Sequence, residues 1–166
     1  MAKSAVMLVS ALCLMSLINI ATCEKERFFV EGKVYCDTCR IQFFTKVSKF
    51  LEGATVKLEC RDIEGGNVTF SKETETDKSG SYKIETDKDH EEEVCEVSLV
   101  KSKDPDCDEI TKEGYAHKSR VSITSNSGIT SPERLANPLS FMKKEKLPEC
   151  KEVLRELGFD EYGNIV

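Results

Sequence analysis

The sequence predicts an all-β fold: a disulfide-stapled antiparallel β-sandwich or barrel of about seven strands, closed by a short C-terminal helix. Three observations carry this. Short segments of alternating apolar and polar residues recur between Phe28 and Ser125, punctuated by Gly-, Pro- and Asp-rich turns. The residues up to Cys23 read as an export signal, and an even set of cysteines follows it. Helical period occurs clearly only near the C-terminus.

Lys3 is the only charge before Glu24. Behind it runs AVMLVSALCLMSLINIATC, ending in Ala21-Thr22-Cys23 with small residues where a signal peptidase reads them. The stretch is short for a bilayer span, and the EKER that follows is not a basic stop-transfer cluster. Residues 1–23 are expected to leave as a signal peptide. Residues 24–166 then form a single secreted β domain with no membrane span, and the terminal YGNIV is no retention signal.

Each strand has its own pattern. In 28–35, Val30, Gly32 and Val34 oppose Phe29, Glu31, Lys33 and Tyr35. IQFFTKVSKFLEGA is a long packed connection with room for one helical turn, and its Phe43, Phe44, Val47, Phe50 and Leu51 are assigned to the core. TVKLECR puts Val56, Leu58 and Cys60 inward; DIEGGN turns; VTFSKETET resumes with Val68 and Phe70. DKSG turns again before Tyr82 and Ile84. DKDHEEE is too charged for a core element and reads as a solvated loop. VCEVSLVKS is a strong strand with Cys95, Val97 and Leu99 on one face, KDPDCDE is a loop, and AHKSRVSITS alternates. In ECKEVLRELGF, Cys150, Val153, Leu154 and Leu157 fall on one helical stripe that Gly158 ends.

Once Cys13 and Cys23 leave with the signal, Cys36, Cys39, Cys60, Cys95, Cys107 and Cys150 remain. The C-x-x-C of VYCDTCR admits zinc, redox or structural readings. Zinc lacks a second ligand pair, and His90 and His117 lie far apart in sequence. A redox pair belongs at a helix N-terminus in a βαβ unit, and FFVEGKVY before it alternates like a strand. A mutual Cys36–Cys39 bond would close only a tiny loop, whereas distant partners close loops worth roughly 4–5 kcal/mol each as a non-additive upper estimate. Cys36 and Cys39 are therefore expected to tie two different distant segments to one strand end.

The charge excludes some functions. The chain carries a net charge of −6, more negative once Lys3 is removed, with no basic stripe, which argues against nucleic acid. Asp104, Asp106, Asp108 and Glu109 lack the glycine turn and the final bidentate Glu of a calcium loop. There is no G-x-S-x-G and no phosphate-cradling loop. No enzyme activity, metal or cofactor is expected. The two acidic loops are the expected contacts for a basic partner: Asp87, Asp89, Glu91, Glu92 and Glu93, then Asp104, Asp106, Asp108 and Glu109. Asn67-Val68-Thr69 is an N-glycosylation sequon beside a glycine turn, so Asn67 is the expected acceptor.

The motifs VEGKVYCDTCR, LEGATVKLEC, GNVTF, CEVSLV, DCDEI, EGYAHKSRV, NPLSFMKKEKLPEC and LRELGF together resemble the secreted pollen proteins related to the major olive pollen allergen, over nearly the whole mature chain. Carried over by cysteine order, the resemblance implies the pairs Cys36–Cys107, Cys39–Cys150 and Cys60–Cys95, and a compact β-sandwich or barrel-like domain. A weaker likeness to transthyretin-like domains, in EGKV, EGATVKL and TDKSGSYKI, points the same way. The resemblance also implies a secreted, non-enzymatic glycoprotein of pollen hydration, germination or tube growth, which meets a receptor ectodomain or a cell-wall component. The olive member's sequon falls near SNSGIT. Here Asn126-Ser127-Gly128 lacks the hydroxyl residue, so that glycan does not carry over. Two alternatives remain. One is a protease-inhibitor-like protein presenting Lys101 to Cys107. The other is a structural wall protein, which the four scattered prolines disfavour.

Secretion from a eukaryotic host should yield a chain starting at or within a residue or two of Glu24, with one N-glycan. N-terminal sequencing checks the first. An endoglycosidase mass shift that Thr69→Ala abolishes checks the second.

Overall fold

The computed structural model describes residues 27–64, 66–86 and 88–160. The expected signal peptide, with Cys13 and Cys23, and the acidic-loop residue Asp87 lie outside the described residues. Among the described residues nine strands, one 3-10 turn and one α-helix follow in order: β1 Phe28–Asp37, β2 Lys49–Phe50, β3 Thr55–Asp62, β4 Val68–Glu75, β5 Ser81–Thr86, β6 Glu93–Lys101, β7 Lys118–Val121, the 3-10 turn Ser125–Ser127, β8 Glu133–Leu135, β9 Leu139–Met142, and α1 Cys150–Glu156.

The strands make two sheets. One is the antiparallel ladder β4-β3-β6-β7. The other is built on β1, which pairs antiparallel with β2 and β5 and parallel with β8 and β9. The core lies between them: Val30, Val34, Tyr82, Ile84, Leu139 and Phe141 from the β1 sheet meet Val56, Leu58, Val97 and Leu99 from the other. Alternation delivers these residues. Along β3, Val56, Leu58 and Cys60 are buried, while Lys57, Glu59 and Arg61, on the other face, form a row of ion pairs at 2.8 and 2.6 Å. β4, at the edge of its sheet, is mostly exposed on both faces. Its charged residues suit an edge that must not recruit another strand.

Three features differ from the sequence expectation. β8 and β9 were assigned no strand, and their pairing with β1 is parallel rather than antiparallel. Chain returning from the other sheet enters alongside β1 in its own direction, which a hairpin cannot do. Pro138 has no N–H to give a ladder and separates the two short strands. The connection after β1 holds turns and the two-residue β2, with no helical turn. In α1, Cys150, Val153 and Leu154 are buried, but Leu157 lies beyond the helix and is 46% exposed.

The disulfides join Cys36 to Cys107, Cys39 to Cys150 and Cys60 to Cys95, the pairs named from cysteine order. The first ties β1 to the loop after β6. The second ties the loop after β1 to α1. The third crosses β3 and β6 at directly opposed positions.

Gly32 has a packing reason. A Cβ there would lie 2.3 Å from the Tyr82 hydroxyl, whose oxygen is buried without a hydrogen-bond partner. Gly32→Ala should therefore cost about 1–3 kcal/mol by overpacking, and Tyr82→Phe, which removes the orphaned hydroxyl, should be neutral or stabilising. In urea denaturation the Gly32→Ala penalty should shrink in the Tyr82→Phe background; a penalty that stays the same refutes the contact.

Candidate binding surface on the loop after the first strand

Val34 and Cys36 point into the core, so Tyr35 and Asp37 face the other side of β1. Both are nonetheless buried, Asp37 completely, because the chain from Thr38 to Phe50 folds back over them. The Asp37 carboxylate makes this possible. Its Oδ1 accepts the Cys39 N–H at 3.1 Å, and its Oδ2 accepts those of Ile41 at 2.8 Å and Gln42 at 2.6 Å. A carboxylate withdrawn from water is tolerable when backbone donors replace its hydration.

The loop so held contains two non-glycine residues in the left-handed region, Arg40 and Gln42, both at φ 57. Each costs on the order of 1 kcal/mol and persists only where the surroundings over-determine it. Here they do. Cys39 is bonded to Cys150. Arg40 forms a two-pronged pair with Glu109 at 2.7 Å and also donates to the Lys143 carbonyl at 2.6 Å. Hydrogen bonding to Glu109 raises the Arg40 pKa, and the same bond holds Glu109 below the ordinary carboxylate range. Further along, the Thr38 hydroxyl donates to the Val47 carbonyl and the Thr45 N–H to the Ser48 hydroxyl.

The locked loop displays aromatic rings. Phe43 is 56% exposed, and Phe44 and Phe50 are each 43% exposed. Phe44 meets the Tyr35 ring edge-on at 5.1 Å and stacks on Phe50 at 5.2 Å; Lys33 Nζ sits 4.6 Å over Phe50. The expectation that this cluster is core is corrected. Leu51 alone of the five is fully buried, Val47 partly so; Phe44 and Phe50 form the outer layer of the cover over Tyr35, and Phe43 beside Phe44 is exposed. Their spacing reports that they stay together, not which side is wet.

The acidic loops are built differently from a solvated run. Asp89 accepts from the N–H of Ser125 and of Glu91 and from the hydroxyls of Thr124 and Ser125. Glu91 accepts from Asn126. His90, expected in solvent, is buried with its Nδ1 2.7 Å from Glu93, which also takes Lys88 and the Thr69 hydroxyl. In the second loop Asp104 caps the Asp106 N–H, Asp108 pairs with Lys144 at 3.5 Å, and Glu109 holds Arg40. Of these acids, Glu92 and Asp106 are the exposed ones whose carboxylates have no partner among the described residues. The loops organise the chain more than they advertise charge.

Cys60, His90, Glu93 and Cys95 bring possible metal-ligand atoms within 4.8 Å of one another. The two sulfurs are bonded to each other, so no thiolate pair is available to a metal. Asn67 is exposed, and its amide donates to Asp62 at 3.2 Å. In the stretch Lys101–Cys107 of the inhibitor alternative, Ser102 and Cys107 are buried and the residues between them exposed. Sequence reasoning missed Asp37 and Arg40. The available signal was an acid at the end of an apolar strand, flanked by two half-cystines.

Burial raises the Glu93 pKa, but hydrogen bonds from Lys88, Thr69 and His90 outweigh it and bring the carboxyl from 4.5 to about 2. A depressed folded pKa gives stability that is complete above the unfolded value and lost as pH falls through the folded one. The stability gap between the wild type and Glu93→Gln should therefore be widest above pH 4.5 and close as pH falls toward about 2. A gap independent of pH in acid-titrated thermal melts contradicts this.

Comparison with known proteins agrees with this architecture. The family profile described as "Pollen protein Ole e 1 like" matches residues 26–158. An Olee1-like protein of Betula pendula is 58% identical over 161 residues, spanning 96% of each chain. The anther-specific protein LAT52 of Solanum lycopersicum is 55% identical, spanning 95% of this chain and 96% of that one. The crystal structure of the major plantain pollen allergen Pla l 1 superposes with a TM-score of 0.67 at 38% identity, covering 75% of this chain and 99% of that one. The two-sheet fold, its three disulfides and these relatives together place the chain in the pollen protein Ole e 1 like family.

Proposed function

We propose that this protein is secreted into the extracellular space and acts in pollen hydration, germination or tube growth as a non-enzymatic binding protein. Its contact surface is the Phe43–Phe44–Phe50 cluster, and its partner is a protein such as a receptor ectodomain. The single observation that carries the binding role is that cluster: three phenylalanines left in water on a loop that several independent interactions hold still. Exposed aromatic patches mark interaction sites, aromatic anchors dominate interface energies, and a loop already locked loses little entropy on docking. Lys33 sits over the Phe50 ring on an otherwise acidic protein, which suits a partner with an apolar centre and an acidic rim. The relatives' names, pollen allergens and an anther-specific protein, support the setting and include no enzyme name. The acidic loops, mostly engaged internally, give no comparable motive.

We also propose that Asn67 carries a glycan. β3 runs from Thr55, near Leu51, to Asp62, which holds Asn67; at about 3.3 Å per residue that places the glycan roughly 20 Å from the Leu51 end.

The test is capture. Mature protein is displayed to germinating pollen tubes, cross-linked, and the retained species identified. A saturable receptor ectodomain supports the reading, provided Phe43→Ser with Phe44→Ser weakens its capture about thirtyfold, as loss of an aromatic hot spot does. Asp37→Asn, which unlocks the loop and leaves the rings, should weaken it less. Retention of polysaccharide alone moves the protein to wall organisation. Inhibition in a protease assay moves it to the inhibitor class. Capture indifferent to the phenylalanine changes refutes the surface.

A further inference from the structure

Away from the aromatic loop, Arg134 in β8 poses a separate problem. It is 3% exposed, stacked with its guanidinium carbon 4.8 Å over the Phe28 ring. No carboxylate lies within ion-pair distance of it among the described residues. Glu133, its neighbour, gives its carboxylate to the Ser131 hydroxyl, and Asp89 is taken by Thr124 and Ser125. Glu133 feels the Arg134 charge through space, but a buried guanidinium with no carboxylate in hydrogen-bond contact is costly and uncommon.

The donors that Arg134 does use all go to backbone carbonyls. Nη1 donates to those of Ser131 and of Glu133, the latter at 3.1 Å, and Nη2 donates to that of Thr124 at 2.6 Å. A guanidinium has five N–H groups. Two are left: the Nε–H, which is buried without a partner, and one on Nη2. Nε with Nη2 is the side-on fork that takes a carboxylate with two parallel hydrogen bonds. Three carbonyls thus fix the orientation of the group while the Nε–H of that edge stays unpaired.

Arg134 also lines a hollow of about 360 Å³ between the start of β1 and the 125–132 loop. Arg27, whose guanidinium pairs with Glu85 at 3.4 Å, also lines it, Phe28 and Ile129 give apolar wall, and Thr130 gives a hydroxyl. That volume is at the small end of the range for organic ligands. We propose that this hollow is a binding site for a small carboxylate, held by the open edge of Arg134 with its body against Phe28 and Ile129. A small shift of the covering side chains admits the carboxylate to Nε. The site is independent of the aromatic surface, so either can fail without the other.

The probes are sodium benzoate, an apolar acid, and sodium galacturonate, a sugar acid. The neutral controls are benzamide and galactose. Each is titrated into ¹⁵N-labelled mature protein. The expected result is a saturable shift of amide resonances from Ser125 to Arg134 with at least one carboxylate, at least about tenfold weaker for its neutral counterpart. Benzoate alone identifies an apolar acid as the ligand class, and galacturonate alone a sugar acid. Arg134→Lys keeps the charge, loses the fork and should abolish the shift. Because that change also removes carbonyl bonds, Ile129→Glu provides an independent check: it places a negative charge on an exposed wall residue and should weaken binding about tenfold with the melting temperature unchanged. No saturable shift up to about 50 mM of either acid, a range that reaches affinities weaker than millimolar, overturns the proposal. So does equal binding of the neutral controls, or an Ile129→Glu variant that binds as before.

Discussion

The carboxylate of Asp37 is the point on which much else turns. It stands at the end of β1 between two half-cystines that leave for different parts of the molecule, one to the loop after β6 and one to α1. Three backbone N–H groups converge on it. Without that acceptor the chain would have no reason to turn back over Tyr35, nor to keep Arg40 and Gln42 left-handed. The loop's shape, the Arg40–Glu109 link and the exposure of the phenylalanines all follow from one buried negative charge being fully hydrogen-bonded.

Charge in this protein is largely internal architecture. Asp89 gathers four donors and anchors the segment at Thr124–Ser125. Glu93 joins β6 to His90 and to β4 through Thr69. Glu109 reaches across to the loop after β1. A chain with a third of its residues charged therefore presents less uncommitted charge than its composition suggests. Its most distinctive surface is the apolar one.

The sequence made the sheet core legible because period-two alternation is a local signal. Val56, Leu58 and Cys60 on β3, and Cys95, Val97 and Leu99 on β6, could each be grouped on one face before any fold was known, and they are buried. What it concealed was non-local. β8 and β9 are three and four residues long, too short for alternation to stand out, and they exist because β1 is there to receive them. The phenylalanines of the connection look like core, since spacing cannot distinguish an inner layer from an outer one. His90 looked solvated because its neighbours are acidic, yet those acids are what allow it inside. At the candidate surface, Phe43, Phe44 and Phe50 were visible as a group, while the Asp37 acceptor that poses them was not. Only a folded chain shows which N–H groups lack another partner.

One consequence of the pairing around β1 concerns biosynthesis. The first strand to leave the ribosome is hydrogen-bonded in the finished fold to strands from the last third of the chain, and Cys39 waits for Cys150. Contacts of such separation form slowly, because a long loop must close before they return any free energy. A half-synthesised chain can assemble the β3–β4–β6 ladder, but it holds β1 with an unfilled flank, a template for wrong partners. The flank fills only when the C-terminal residues arrive, and a truncation before Leu139 removes one of the first strand's mates, and with it the partner of Cys39, rather than a tail.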